Sequence, residues 1–175
     1  MTTTPSSTID EQLRVSQRNS VSLQFARVAA TQRDRVALKY LDRKWTYTEL
    51  NRAISVAAGR LRELGLQPGD RIAVMGKNSD TFLILFFAAS RAGLVHVPIN
   101  FALTGPELEY LVSDSEATVL VVDDEYLETV QSIAESSQLR HVLQMSAILD
   151  HIQTTMESKQ AVDDLMAASD WDTAE

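Results

Sequence analysis

Residues Trp45–Asn100 read WTYTELNRAISVAAGRLRELGLQPGDRIAVMGKNSDTFLILFFAASRAGLVHVPIN, and the punctuation of this stretch decides the fold. Thr46-Tyr47-Thr48-Glu49 has the spacing of a capping box, in which the threonine oxygen accepts from a helix amide and the glutamate reaches back. Leu50, Ala53, Ile54, Ala57, Leu61 and Leu64 then mark one helical face. Gly65 stands where a left-handed residue ends a helix, Leu66 can meet Leu61 across that ending, and Pro68 forbids continuation. Pro68-Gly69 suits the middle of a type II turn. Arg71–Met75 (RIAVM) is a short apolar strand. After Gly76 and an Asn-Ser-Asp start, Thr81–Arg91 is a helix apolar nearly all round, which must be covered on more than one side. Gly93 ends it, and Leu94–Val97 is the next strand, stopped by Pro98. Gly59, inside the first helix, costs about 1 kcal/mol against alanine, which predicts the close approach of another element.

Working outward, Thr104-Gly105-Pro106-Glu107 repeats the capping-box spacing and opens a short helix through Ser113. The strand Thr118–Val122, a helix over Glu125–Ser136 and a strand at Arg140–Leu143 follow. Upstream, Ser20–Ala30 spaces its apolar residues as an amphipathic helix. Val36–Leu41 and Trp45–Tyr47 flank a turn at Asp42-Arg43-Lys44 and form a small hairpin. The strands near Arg71, Leu94, Thr118 and Arg140 recur with helices between them, the alternation of right-handed βαβ units. The expected fold class is α/β: a mainly parallel sheet flanked by helices, with a small N-terminal hairpin. The expected organisation is a disordered arm over 1–19, an α/β subdomain over 20–144, and an acidic tail over 145–175. That tail is expected to be mostly irregular, with one short helix over Val162–Ala168.

The chain has 175 residues, of which 45% are hydrophobic and 23% charged, and a net charge of -8. Length and composition suit one globular domain. With no cysteine there is no disulfide framework, cysteine-held metal or thiol nucleophile, which fits a cytoplasmic protein. The first residues lack the basic start and apolar run of a signal peptide, and Thr81–Ala89 falls far short of the roughly 20 residues of a membrane span. The charge is uneven: from Asp123 onward the only bases are Arg140 and Lys159. An acidic half with few aromatics does not suit nucleic acid.

The search for chemistry returns little. No G-x-G-x-x-G can be assembled. Gly76-Lys77-Asn78-Ser79 resembles the tail of a Walker loop, but Asn78 stands where Ser or Thr should follow the lysine, and Arg71 occupies the place of the first glycine. His96, His141 and His151 show no metal-ligand spacing, and His96 in an apolar strand reads as a core or edge histidine. No G-x-S-x-G elbow is present. The adjacent pairs Asp123-Asp124 and Asp163-Asp164 diverge in regular structure and read as solvated. Trp45 and Trp171 are too few for a stacking surface. No catalytic, cofactor-binding or metal-binding residue is assigned.

Taken in order, the segments Trp45–Leu50 (WTYTEL), Leu61–Val74 (LRELGLQPGDRIAV), Gly76–Gly93, Val97–Asn100 (VPIN), Thr104–Tyr110 (TGPELEY) and Asp114–Val122 (DSEATVLVV) resemble the adenylate-forming, AMP-binding enzymes. They look closest to the fatty acyl-CoA synthetase branch. The resemblance covers most of Val21–Leu143. It implies an N-terminal subdomain of a longer ligase that joins a carboxylic, fatty acid to coenzyme A with ATP and Mg2+, releasing AMP and pyrophosphate. Ala161–Ser169 looks like the segment that shortly precedes the family's Ser/Thr/Gly-rich ATP loop, and no residue matching that loop is present. The expectation is therefore a fragment inactive alone, with no cofactor bound to it. Two other readings stand beside it: a non-catalytic module that self-associates through exposed apolar surface, and a small flavodoxin-like nucleotide binder.

Overall fold

Thr46 caps the long helix as its spacing predicts. Its hydroxyl accepts from the Glu49 amide at 3.2 Å while the Glu49 carboxylate accepts from the Thr46 amide at 2.8 Å, so both halves of the box close. These contacts come from a computed structural model, which describes residues 20–136 and 138–168. The expected arm over 1–19, Ser169 and Trp171 lie outside the described residues.

The elements in order are α1 (Val21–Gln32), β1 (Val36–Tyr40), β2 (Arg43–Thr46), α2 (Tyr47–Glu63), β3 (Arg71–Met75), α3 (Asp80–Ala92), β4 (Val95–Ile99) and α4 (Gly105–Asp114). There follow β5 (Val119–Val122), a 3-10 turn (Asp124–Tyr126), α5 (Leu127–Ser136), β6 (His141–Gln144), α6 (Met145–Glu157) and α7 (Lys159–Ala168). Strands β3 to β6 form one parallel sheet in the order β4-β3-β5-β6, and β1-β2 is a separate antiparallel hairpin. This is the α/β architecture expected.

Alternation along the strands sorts the core into two layers. Ile72, Val74, Val119 and Val121 face a cluster built with α2, α3 and α6, against which Phe25 of α1 and Leu38 of β1 also pack. Ala73, Met75, Leu120 and Val122 face Leu108 and Val112 of α4 and Val130 and Ile133 of α5. The apolar helix α3 is covered as expected, its Ile84, Leu85, Ala88 and Ala89 all fully buried. It ends in a Schellman-type cap: Gly93 takes φ +75°, and the Leu94 amide donates to the Ala89 carbonyl at 2.8 Å.

Four expectations are corrected. Strand β4 runs through Pro98 to Ile99. It is an edge strand, and the Val95 amide donates to Asp70 at 2.8 Å. Alternation then turns the proline nitrogen away from the ladder, where no N–H is needed. The hairpin turns at Leu41-Asp42, with Leu41 at φ +50°, because a two-residue connection requires left-handed backbone. Thr104 is the N-cap of α4 but its side chain makes no cap hydrogen bond. Gly105 bends the entry at φ +53°, and Pro106 fills the first turn.

The largest correction is the tail. Where a mostly irregular region was expected from 145, α6 stands over Met145–Glu157, and the short helix expected over Val162–Ala168 is present and begins at Lys159. Met145, Ile148 and Ile152 are buried, and Leu149 and Met156 pack beside them, a stripe at helical spacing. Polar residues at His151, Gln153, Thr154 and Thr155 dilute that stripe in the sequence.

Gly59 explains where the last helix goes. A Cβ there would lie 2.8 Å from Leu165 Cδ1, so α7 crosses α2 at its glycine. The close approach predicted for Gly59 is real, and the approaching element comes from the supposed tail. Gly59→Val is expected to lift α7, leaving the sheet in place. Amide exchange of residues 159–168 should quicken about tenfold, as for roughly 1.4 kcal/mol of local opening, while amides of β3 and β5 keep their protection. Unchanged exchange in α7 would contradict the packing.

Candidate functional site

In a doubly wound sheet, ligands sit outside the carboxyl ends of the strands where strand order reverses. The chain passes from β3 to β4 on one side, then crosses to β5 on the other, so that place is the crevice beyond Met75 and Val122. It is lined by Gly76-Lys77-Asn78-Ser79 after β3 and by Asp123-Asp124-Glu125 after β5.

Gly76, Lys77, Ser79, Asp124 and Glu125 are engaged within the fold. Gly76 has no room for a side chain: a Cβ there would lie 2.8 Å from Met145 Cε and 2.9 Å from Asp123 Cβ. Lys77 Nζ donates to Glu125 Oε2 at 3.0 Å and lies 5.8 Å from the Tyr126 ring centroid. The Glu125 hydrogen bond holds the ammonium above the ordinary lysine range. Ser79 caps α3, its hydroxyl accepting from the Phe82 amide at 3.1 Å. Asp124 accepts from the Ser146 amide at 3.3 Å.

The residues at this crevice do not fit a nucleotide phosphate. The cation is paired to a carboxylate, the glycine faces a methionine, and the far side is acidic. The Walker-like tail is a strand-to-helix connection. Among the described residues no group of three His, Asp or Glu side chains is placed to hold a metal ion.

The histidines do not come together in one site. His96 stands on edge strand β4 with the Phe82 and Phe86 rings edge-on at 5.6 and 5.5 Å. Its buried Nε2 has no hydrogen-bond partner among the described residues. Burial lowers its pKa below the ordinary histidine value. The unfolded chain then binds a proton that the fold disfavours, so stability is complete above about pH 6.5 and falls as pH drops toward the folded pKa. Urea midpoints measured from pH 7.5 to 5 are expected to decline, and His96→Phe should shrink that decline. An identical pH slope in the variant would remove His96 as its source.

Two polar networks escaped the sequence reading. Asp80, at the first position of α3, is completely buried. Its Oδ2 accepts from Arg43 Nε at 2.6 Å and Trp45 Nε1 at 2.9 Å, and its Oδ1 from Arg43 Nη2 at 2.7 Å and the Thr81 amide at 3.0 Å. Burial alone would raise this carboxyl, but the Arg43 and Trp45 hydrogen bonds and the Arg43 charge outweigh it and hold it below its ordinary value. Every partner is internal, so the cluster clamps the hairpin to α3. The second network gathers on Arg91, which reaches Ser22, Asn51 and Ser55.

A family model described as AMP-binding enzyme matches residues 25–174. The chain belongs to the AMP-binding enzyme family. A feruloyl-CoA synthase from an Amycolatopsis species is 44% identical over 95 residues, covering 54% of this chain and 19% of that protein. The long-chain-fatty-acid–CoA ligase FadD13 of Mycobacterium tuberculosis is 39% identical over 80 residues, covering 46% of this chain and 16% of that protein. The solved N-terminal domain of FACL13 from Mycobacterium tuberculosis superposes with a TM-score of 0.71 at 24% identity, over 77% of this chain and 35% of that one. That likeness carries the fold. The chain thus matches less than a fifth of the length of these curated AMP-binding relatives. No helix among the described residues is long and apolar enough to cross a membrane.

Proposed function

We propose that this AMP-binding chain is the scaffold portion of an AMP-forming acyl-CoA ligase, and that alone it forms no acyl adenylate. The reaction of the whole enzyme would be carboxylate + ATP + CoA to acyl-CoA + AMP + pyrophosphate, with a fatty acid as the carboxylate. ATP, Mg2+ and coenzyme A would be held by residues other than these. In that reaction a carboxylate oxygen attacks the α-phosphorus and pyrophosphate leaves. Such chemistry requires preorganised cationic and amide donors around the phosphates.

The observation that carries the reading is the pairing of the family match with the engaged crevice. Residues 25–174 match the family, while Lys77, the cation nearest the switch point, is committed to Glu125. The names of the relatives, which act on feruloyl and long-chain fatty acids, support a carboxylate-CoA ligase as the reaction class.

The test is carboxylate-dependent ATP–pyrophosphate exchange, measured with fatty and aryl acids on the purified 175-residue chain. No exchange above the protein-free blank is expected. If its reading frame continues past Glu175, the extended chain should show exchange. Robust exchange by the chain alone would overturn the proposal.

A further inference from the structure

Two faces of this molecule on opposite sides of the sheet carry charge of opposite sign. From Ala92 to Leu139 the chain holds no Lys or Arg, and that span supplies α4, the 3-10 turn and α5, the whole layer over the Ala73/Met75/Leu120/Val122 face. Glu107, Glu109, Asp114 and Glu128 are exposed on it. Glu116 and Glu125 reach the rim cations Arg71 and Lys77. Within this acidic layer lies a shallow apolar groove of about 410 Å³ lined by Leu103, Pro106, Glu107, Tyr110 and Leu111. Tyr110 is 63% exposed beside it, and Phe101, 40% exposed, is stacked on Tyr126.

On the opposite side of the sheet α6 and α7 carry exposed Asp150, Glu157, Asp163 and Asp164, but the face made by α1, the hairpin and the start of α2 is basic. Arg27, Arg33, Arg35, Lys39, Lys44 and Arg52 are exposed on α1, the hairpin and the start of α2, with the carboxylates Asp34, Asp42 and Glu49 among them. The Arg35 and Arg33 carbonyls accept from the Tyr47 and Thr48 amides, tying the end of α1 to the point where the hairpin enters α2. Lys39 and Lys44 stand directly opposite each other in the hairpin register. Like charges so placed are destabilising and are relieved by an anionic neighbour. This face also has apolar contact points: Val36 is 48% exposed and Leu41, at the hairpin tip, 82%.

We propose that the chain associates with a second copy of itself head to tail, the acidic α4–α5 layer of one copy seating on the basic α1–hairpin face of the next. With a net charge of -8, two copies repel at long range. Sorting the charge lets opposite patches attract within a Debye length of about 10 Å. A second copy is the occupant because the complementary face, cationic and carrying exposed aliphatic side chains, is on the same molecule. The two patches lie on opposite layers, so the contact is heterologous and does not close as a two-fold dimer.

Sedimentation velocity on the 175-residue chain tests this over a concentration series. At about 0.05 M salt the average mass should climb above the 19.4 kDa monomer, and at about 0.5 M it should return to it, because screening shortens the reach of the charges. Two reversed variants separate the faces: Glu107→Lys with Glu128→Lys, and Lys39→Glu with Lys44→Glu. All four positions are exposed, and thermal melts confirm that each variant folds. Each alone should remain monomeric at low salt, while an equimolar mixture should associate again. A monomer throughout the low-salt series would overturn the proposal. So would association that survives both reversals, which would put the contact elsewhere.

Discussion

Arg43→Met is expected to cost about 3 kcal/mol of stability, the range for leaving a buried charge without its partner. For a chain of this size that is a fall of about 6–12 °C in Tm. The reason is the environment of Asp80. Its carboxylate is completely buried and relies on the bidentate guanidinium for two of its four hydrogen bonds. Without Arg43, only the Trp45 indole and the Thr81 amide remain to compensate desolvation. The pH dependence gives a second readout. In the native protein Asp80 is held below its ordinary pKa, so its contribution is present above about pH 4 and is lost as pH falls through the folded value. In the variant the carboxyl rises, and protonation relieves the unpaired charge. The stability gap between the two proteins should therefore narrow as pH falls toward 4. Adding Asp80→Asn to Arg43→Met should recover a large part of the loss, a non-additivity that marks a shared interaction. A Tm within 2 °C of the parent for the single variant would show that the clamp contributes little.

That clamp also shows where sequence reading stops. The strand Arg71–Met75, the cap at Thr46 and the helix end at Gly93 were legible because local rules act there: an apolar run between turns, an S/T-x-x-E spacing, a glycine before a new strand. Asp80 and Arg43 are 37 residues apart, and each looked like an ordinary turn or cap residue. Their pairing is visible only once the hairpin is folded against α3. The same holds for Lys77: Asn78 and Arg71 already argued against a Walker loop, but its partner Glu125, 48 residues on, is visible only in the fold. Helix α6 was missed for another reason, whereas α7 was expected in part as the short helix over Val162–Ala168. The apolar stripe of α6 is diluted by polar residues and packs into the α2–α3 core, while the notch at Gly59, read correctly without identifying what would fill it, takes Leu165 of α7. Family membership was legible because many weak local signals fall in one order over most of the chain. Of the candidate crevice, the sequence showed the Gly76-Lys77-Asn78-Ser79 run after a strand but not that Glu125 and Asp124 would stand beside it.

The second large effect is expected at Arg91. Its Nε donates to Ser22 Oγ at 2.9 Å, its Nη1 to the Asn51 carbonyl at 3.0 Å and Ser55 Oγ at 2.6 Å, and its Nη2 to Asn51 Oδ1 at 2.7 Å. One guanidinium from α3 thus fastens α1 through Ser22 and α2 through Asn51 and Ser55, with both serines buried. Arg91→Leu removes these charge-assisted bonds and leaves the Ser22 hydroxyl in an apolar junction, for an expected loss of about 3 kcal/mol. Arg91→Lys should recover only part of this, because an ammonium lacks the planar fork that reaches three groups at once. Ser55 still donates to the Asn51 carbonyl at 3.3 Å, so the damage should concentrate on α1. Hydrogen exchange across Val21–Gln32 is expected to quicken more than exchange in α2. Ser22→Ala should cost clearly less in the Arg91→Leu background than in the parent, since its partner is already gone. Equal costs in both backgrounds would mean that Arg91 does not hold α1 through Ser22, and that α1 is kept in place by the packing of Phe25 against Tyr47 and Phe87.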